Sequence, residues 1–283
     1  MTLIQARPRV LKAADLAALR ALVDADLIAN CVLDSRLRIV PDLDPRRFGG
    51  QLWGVDDGAG GLRAAVFHGG NLLPVGEDLA ALELIAGQLA RTVRGCSSIV
   101  GPADAVATLW SVLARSWGPA RAVRQRQPLL CSARMPAQQP DPAVRPVEPG
   151  ELDRFLPAAV AMFTEELDVS PLGHDAGRSY RKRVAELITG GRAFARFDER
   201  GRVVFKAEIG ALSPATAQVQ GVWVRPELRG TGIGTAGMAA VMRHALRRAP
   251  TVSLYVNDYN AAGCAMYDRL GFGQVGTLRT VLF

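Results

Sequence analysis

Apolar residues along the chain change their spacing many times, and each change marks an element. In the first half, residues 14–29 and 79–93 carry them three and four apart, the pattern of a helix packed on one side. Residues 51–55 and 62–73 are strand-like runs around a glycine turn; 97–100 is a short strand, 103–113 a helix and 126–132 a strand. A helical pattern returns at 151–162, followed by a strand at 202–212, a helix at 235–248, a strand at 252–256 and a helix at 261–270. The order of the first half is echoed in the second, as an ancient duplication would leave it. Pro136, Pro140, Pro142, Pro146 and Pro149, with Gln138, Gln139 and Gly150, stand between the two sets and read as an extended connector. The expected class is α/β (α+β), with one domain over 1–135, a proline-rich linker over 136–150 and a second domain over 151–283.

The second set holds the most specific chemistry. A β-rich run stops at Pro226, and Arg229-Gly-Thr-Gly-Ile-Gly234 then leads into the helical pattern at 235. Glycines accept φ > 0 and let the backbone approach closely, so successive N–H groups can converge on one anion. The first turn of the following helix adds unpaired donors and the positive end of its dipole. The loop is therefore built for a pyrophosphate. A dinucleotide fingerprint fits on Gly232, Gly234 and Gly237, with Asn257 and Asp258 ending the next strand. Against it stand the crowding by Arg229 and Gly230 and the late position of the loop. A Walker loop is excluded, because no Gly-Lys-Ser/Thr occurs.

A second segment decides between these readings. Leu254 to Asn260 alternates as a short strand running into a turn, and the helix after it is closed by Gly271, with Asn260 at its N-cap and Tyr267 two turns in. With Arg229-x-x-Gly232-x-Gly234, the strand end Val222-x-Val224-x-Pro226, Asn260-x6-Tyr267 and Arg269-Leu-Gly-Phe272, the chain resembles the GNAT superfamily of acyl-CoA-dependent N-acyltransferases over about residues 145–283. The resemblance implies a mixed central sheet flanked by helices in the C-terminal half, and a degenerate domain of the same kind in the N-terminal half. It implies acetyl-CoA as co-substrate and no metal. Arg229 and the amides of Gly230, Thr231, Gly232, Ile233, Gly234 and Thr235 would take the pyrophosphate. Val222, Trp223 and Val224 would carry the pantetheine arm, and Asn260 would hold that arm or its loop. Tyr267 would set its hydroxyl near the thioester sulfur, to meet the departing thiolate. Transfer is expected to be direct, to a primary amine of a small molecule or a protein.

That amine must arrive neutral, whereas an ordinary amine is protonated at pH 7, so a base is needed. Lys206 and Glu208 project from one face of the 202–212 strand. A catalytic Glu208 and a Lys206–Glu208 ion pair are equally compatible with that placement. Glu165 and Glu166 follow the 151–162 helix on the acceptor side and are candidates to bind a cationic acceptor. His174, and the carboxylate beyond the strand-like Thr280-Val-Leu-Phe283 tail, are further candidate bases.

In the first half, the place of the glycine loop is taken by Val75-Gly-Glu-Asp78, whose two carboxylates argue against an anion there. This half is expected to shape the acceptor cleft or hold a partner. Of 283 residues 49% are hydrophobic, enough for two packed cores, yet no apolar run approaches the ~18 residues of a spanning helix. The start lacks the apolar core of a secretory leader. Cys31, Cys96, Cys131 and Cys264 follow no metal or redox spacing and read as free thiols of a cytoplasmic protein. The net charge of +7 is nearly all arginine on predicted helices, where a solvated face is the default. Some of these arginines could serve the 3′-phosphate of coenzyme A, and the lack of an aromatic-studded basic groove argues against nucleic acid. A monomer and a homodimer fit equally. Two other functions stay open: a non-catalytic acyl-CoA sensor, and a tandem transferase using an aminoacyl-tRNA donor.

Overall fold

The computed structural model describes residues 7–173 and 175–283, so His174 lies outside the described residues. The chain forms two compact units, one of residues up to 129 with 255–259 and 274–283, the other of 130–254 with 260–273. Along the first half run β1 (Arg9–Val10), α1 (Leu16–Asp24), α2 (Cys31–Ile39), α3 (Pro45–Phe48), β2 (Gly50–Asp56), β3 (Leu62–Gly69), β4 (Leu72–Val75), α4 (Leu79–Leu89), β5 (Ser98–Pro102), α5 (Ala103–Trp117) and β6 (Ala122–Ser132). Along the second run β7 (Arg145–Pro146), α6 (Leu152–Leu167), α7 (Arg178–Thr189), β8 (Ala193–Phe197), β9 (Val203–Leu212), β10 (Ala217–Val224), α8 (Ile233–Ala245), β11 (Val252–Tyr255), α9 (Ala261–Arg269) and β12 (Gly273–Leu282).

The repeat is real in strand order: β1-β2-β3-β4-β5 in one unit matches β7-β8-β9-β10-β11 in the other. Both sheets are mixed, with β4–β5 and β10–β11 parallel and their other neighbours antiparallel. The last strand of the second repeat completes the first unit: β12 runs antiparallel to β5, from Leu278↔Pro102 to Leu282↔Ser98. The compact units therefore interleave along the chain instead of following the proline-rich stretch. Residues 136–150 are held, not loose. Asp141 accepts from Arg196 at 2.9 Å, and Arg145 and Pro146 pair with Ala195 and Phe194 on the edge of β8.

Strand periodicity sorts the cores. On β3, Ala64 and Val66 join the cluster under α4 and α5, while Ala65 and Phe67 join the one under α1–α3. A strand covered on both faces reads as a continuous apolar run. In the second unit, Phe155 and Ala159 of α6 and Val184, Leu187 and Ile188 of α7 pack on Ala193, Ala195 and Val203. Each large side chain so buried contributes about 1.5–3 kcal/mol.

Four departures from the sequence pattern have local causes. The run 62–73 is two strands, because Gly69 N–H bonds to the Asn71 carbonyl in a turn that the surrounding apolar residues mask. The charged α2 is paid for by Asp34, which is fully buried and bound to Arg20 at 2.5 Å and Arg38 at 3.0 Å. Short α3 starts at Pro45 behind an Asp44 cap that accepts from Arg46 N at 2.9 Å. Helix α6 runs on to Leu167, so Glu165 and Glu166 sit in its last turn and do not follow it.

On the other face of β9, Gly237 lets α8 approach: a Cβ there would lie 2.8 Å from the Phe205 ring. Helix propensity alone would make Gly237→Ala stabilising by about 1 kcal/mol. The packing predicts the opposite sign, a loss of about 1–3 kcal/mol in urea unfolding.

Candidate functional site

Strand β10 delivers its end to the glycine loop through a bulge. Gln220 pairs with Glu208 and Trp223 with Lys206, so Gly221 and Val222 together face Ala207. Gly221 has φ +59°, and a Cβ on it would lie 2.9 Å from Met162 Cε and 3.1 Å from Lys206 Nζ. Val222 in the bulge and Trp223 and Val224 beyond it are half-buried. Strand β11 pairs with β10 at Ala217↔Val252 and Gln218↔Ser253 and ends at Tyr255, while β10 runs on to Val224. The backbone of Val222–Val224 is thus out of reach of that parallel pairing.

After a short 3-10 turn at Pro226–Leu228 the chain enters the loop. Gly230 (φ +79°) and Gly232 (φ +87°) are left-handed, and open space lies where a Cβ of either would point. Their requirement is conformational, not steric. Thr231 Oγ1 donates to the Leu228 carbonyl at 2.7 Å and turns inward. Gly232 is the N-cap of α8 and offers no side chain to it, so the first-turn amides keep no intrahelical or side-chain acceptor. Ile233 opens the helix, and Gly234 and Thr235 lie in its first turn. Gly234 is a packing glycine: a Cβ on it would lie 3.3 Å from both Met266 Sδ and Val224 Cγ2.

Helix α9 is capped as its sequence reads: Asn260 Oδ1 accepts from Gly263 N at 3.0 Å. Tyr267 is buried on α9, its ring edge-on to Phe272 at 5.7 Å. Burial, then the negative charges of Glu166 and Cys264, push its hydroxyl well above the ordinary tyrosine value. Tyr180 on α7 donates to the Ala159 carbonyl at 2.9 Å. Burial pushes its hydroxyl up too, helped by Glu208 and Glu166 against Arg183. Glu166 therefore lies electrostatically close to both tyrosines. Tyr180 escaped the sequence reading, although its place in the apolar stripe Tyr180, Val184, Leu187, Ile188 signals an inward side chain.

The three candidate carboxylates go separate ways. Glu208 forms a buried ion pair with Lys206 at 2.6 Å, its Oε2 accepting from Gln220 Nε2 at 3.4 Å, and the Lys206 ammonium lies 5.4 Å from the Phe155 ring centre. Glu165 turns to the glycine loop, accepting from Arg229 at 2.6 Å and from the Trp223 indole at 3.1 Å.

The equivalent helix start of the first unit is occupied from within. Asp78 caps α4, accepting from Ala81 N and held by Arg63 Nε at 2.8 Å. Pro74 lies where a side chain on Gly101 would stand, 2.9 Å from its Cβ position.

An acetyltransferase of the GNAT family from Colwellia psychrerythraea superposes with a TM-score of 0.59 at 14% identity, covering 98% of this chain and 99% of that one. A tandem GNAT protein of the clavulanic acid biosynthesis pathway gives 0.54 at 16% identity, with 98% of each chain covered. At such identities the likeness is one of fold: both repeats have the N-acetyltransferase architecture. In sequence, residues 166–272 match the Acetyltransferase (GNAT) family. Residues 50–155 match a domain of unknown function, DUF4081. A mycothiol acetyltransferase of Kocuria rhizophila is 43% identical over 61 residues, 21% of this chain and 20% of that relative. The shared stretch thus spans about a fifth of that relative's length.

The buried pair makes a sharp prediction. Lys206→Met leaves Glu208 buried opposite a thioether and is expected to cost about 3–5 kcal/mol in denaturant unfolding. Removing both charges, Lys206→Met with Glu208→Gln, should recover most of that loss.

Proposed function

We propose that the protein is an N-acetyltransferase that moves the acetyl group of acetyl-CoA to the primary amine of a small molecule or a protein, in the cytoplasm. The observation that carries the reading is the helix start at Gly232: left-handed glycines facing open space, before a first turn that no side chain caps. That is a site for an anion without a Cβ in its way. Acetyl-CoA would supply a thioester-activated acyl group. The amides of residues 230–235 and the Arg229 guanidinium would hold its pyrophosphate. Val222, Trp223 and Val224, in and past the bulge, would offer backbone groups to the pantetheine arm. Asn260, with its carbonyl oxygen on Gly263, would turn its amide hydrogens to the same arm.

The chain's own residues account for the proton traffic. Tyr267 keeps its proton through the physiological range, because burial and Glu166 disfavour the phenolate. It is thus a hydroxyl donor suited to a departing thiolate. Glu208, beside the bulge, is the carboxylate proposed to draw the proton of the acceptor amine. Glu166, close to Tyr180 and Tyr267, is the group proposed to attract a cationic acceptor. Donor residues all come from one unit of one chain, so the reading suits a monomer or a homodimer. The stretch shared with mycothiol acetyltransferase supports acetyl transfer as the reaction.

Calorimetric titration with acetyl-CoA and with CoA tests the cradle. Wild type should bind both and Gly232→Glu neither; absence of binding by the wild type would remove the basis of the proposal. With an acceptor amine, Tyr267→Phe should lower kcat about a hundredfold while CoA affinity stays near the wild-type value. A kcat unchanged by that substitution would take Tyr267 out of the chemistry.

A further inference from the structure

The last turn of α6 carries two adjacent carboxylates that face different partners. Successive side chains on a helix diverge by about 100°. The Glu166 charge acts on Tyr180 and Tyr267, and Glu165 reaches the donor loop. Its Oε2 accepts from Arg229 Nη2 at 2.6 Å and its Oε1 from Trp223 Nε1 at 3.1 Å. Arg229 Nε donates to the Val224 carbonyl at 3.0 Å. The Nε–Nη2 edge of the guanidinium, one of its two edges that match a bidentate anion, is therefore already occupied. One carboxylate ties α6 to the end of β10 and to the first residue of the loop.

We propose that Glu165 is a positioning residue of the donor loop, an internal anion that holds Arg229 until the donor's pyrophosphate displaces it. Donor binding then releases the last turn of α6, and with it Glu166 on the acceptor side. This rests on the reading of residues 229–235 as the donor cradle. Two physical points support the exchange. The ion pair is about half exposed, with side chains 50% and 42% accessible, and such pairs are weak enough to be traded for a better anion. A carboxylate left beside a pyrophosphate also repels it, so Glu165 lowers donor affinity and speeds the departure of CoA after transfer. The same helical turn thus senses the donor with one residue and serves the acceptor with the next.

The test is a double-mutant cycle of CoA binding by calorimetry, using wild type, Glu165→Gln, Arg229→Ala and the double variant. Glu165→Gln should bind CoA about threefold to tenfold tighter, and that gain should vanish in the Arg229→Ala background. Amide hydrogen exchange over residues 163–168 should rise when CoA binds the wild type, and be raised already in Glu165→Gln without CoA. A purely structural role for Glu165 would instead weaken CoA binding when it is replaced. Equal or weaker binding by Glu165→Gln, with the wild type binding CoA, overturns this proposal alone. No binding by the wild type overturns the donor reading and this proposal with it.

Discussion

A helix that starts without a cap has several amides in need of an acceptor, and what satisfies them sets the character of everything nearby. At Gly232 the chain adopts φ +87° and offers α8 no side chain, so no side chain caps the first-turn amides. At the matching point of the first repeat, Asp78 puts its own carboxylate on the Ala81 amide and is braced by Arg63. The two repeats share strand order and helix placement but give opposite answers at this position. One helix start is capped by its own carboxylate; the other has no side-chain cap. The difference lies at the N-cap, Asp78 for α4 and Gly232 for α8.

The second unit then distributes charge around that open helix. Lys206 and Glu208 are the β9 residues paired on either side of the β10 bulge, and their buried ion pair, with Gln220 on Glu208, pins the register there. Buried pairs of this kind contribute little net stability, and fixing a register is the best-attested use of such groups. The bulge in turn lets Trp223 share a face with Lys206 and bond to Glu165. Donor loop, bulge and last turn of α6 are therefore connected through three side chains, Trp223, Glu165 and Arg229.

What the sequence disclosed, and what it concealed, follows from the range of each interaction. The glycines at 230 and 232 and the cap at Asn260 are local devices, and their chemistry is legible in a few consecutive letters. The Lys206–Glu208 pair was half legible, because period two puts both on one face, while the bulge beside it was signalled only by a glycine inside a strand pattern. The clasp of Glu165 on Arg229 joins residues 64 apart, and nothing in either segment announces it. The last turn of α6, which carries Glu165 and Glu166, lies beyond the helical pattern that fades at 162. Nor could spacing alone assign β12 to β5, since strand exchange between repeats conserves every local pattern.

The central claim is that the amides at the start of α8 receive the donor's pyrophosphate. The most direct measurement is an amide-resolved NMR titration with CoA. The account predicts the largest shifts at residues 230–235, with residues 78–82 at the start of α4 unmoved. Shifts that spare 230–235, or that centre on the Asp78-capped helix, would contradict it.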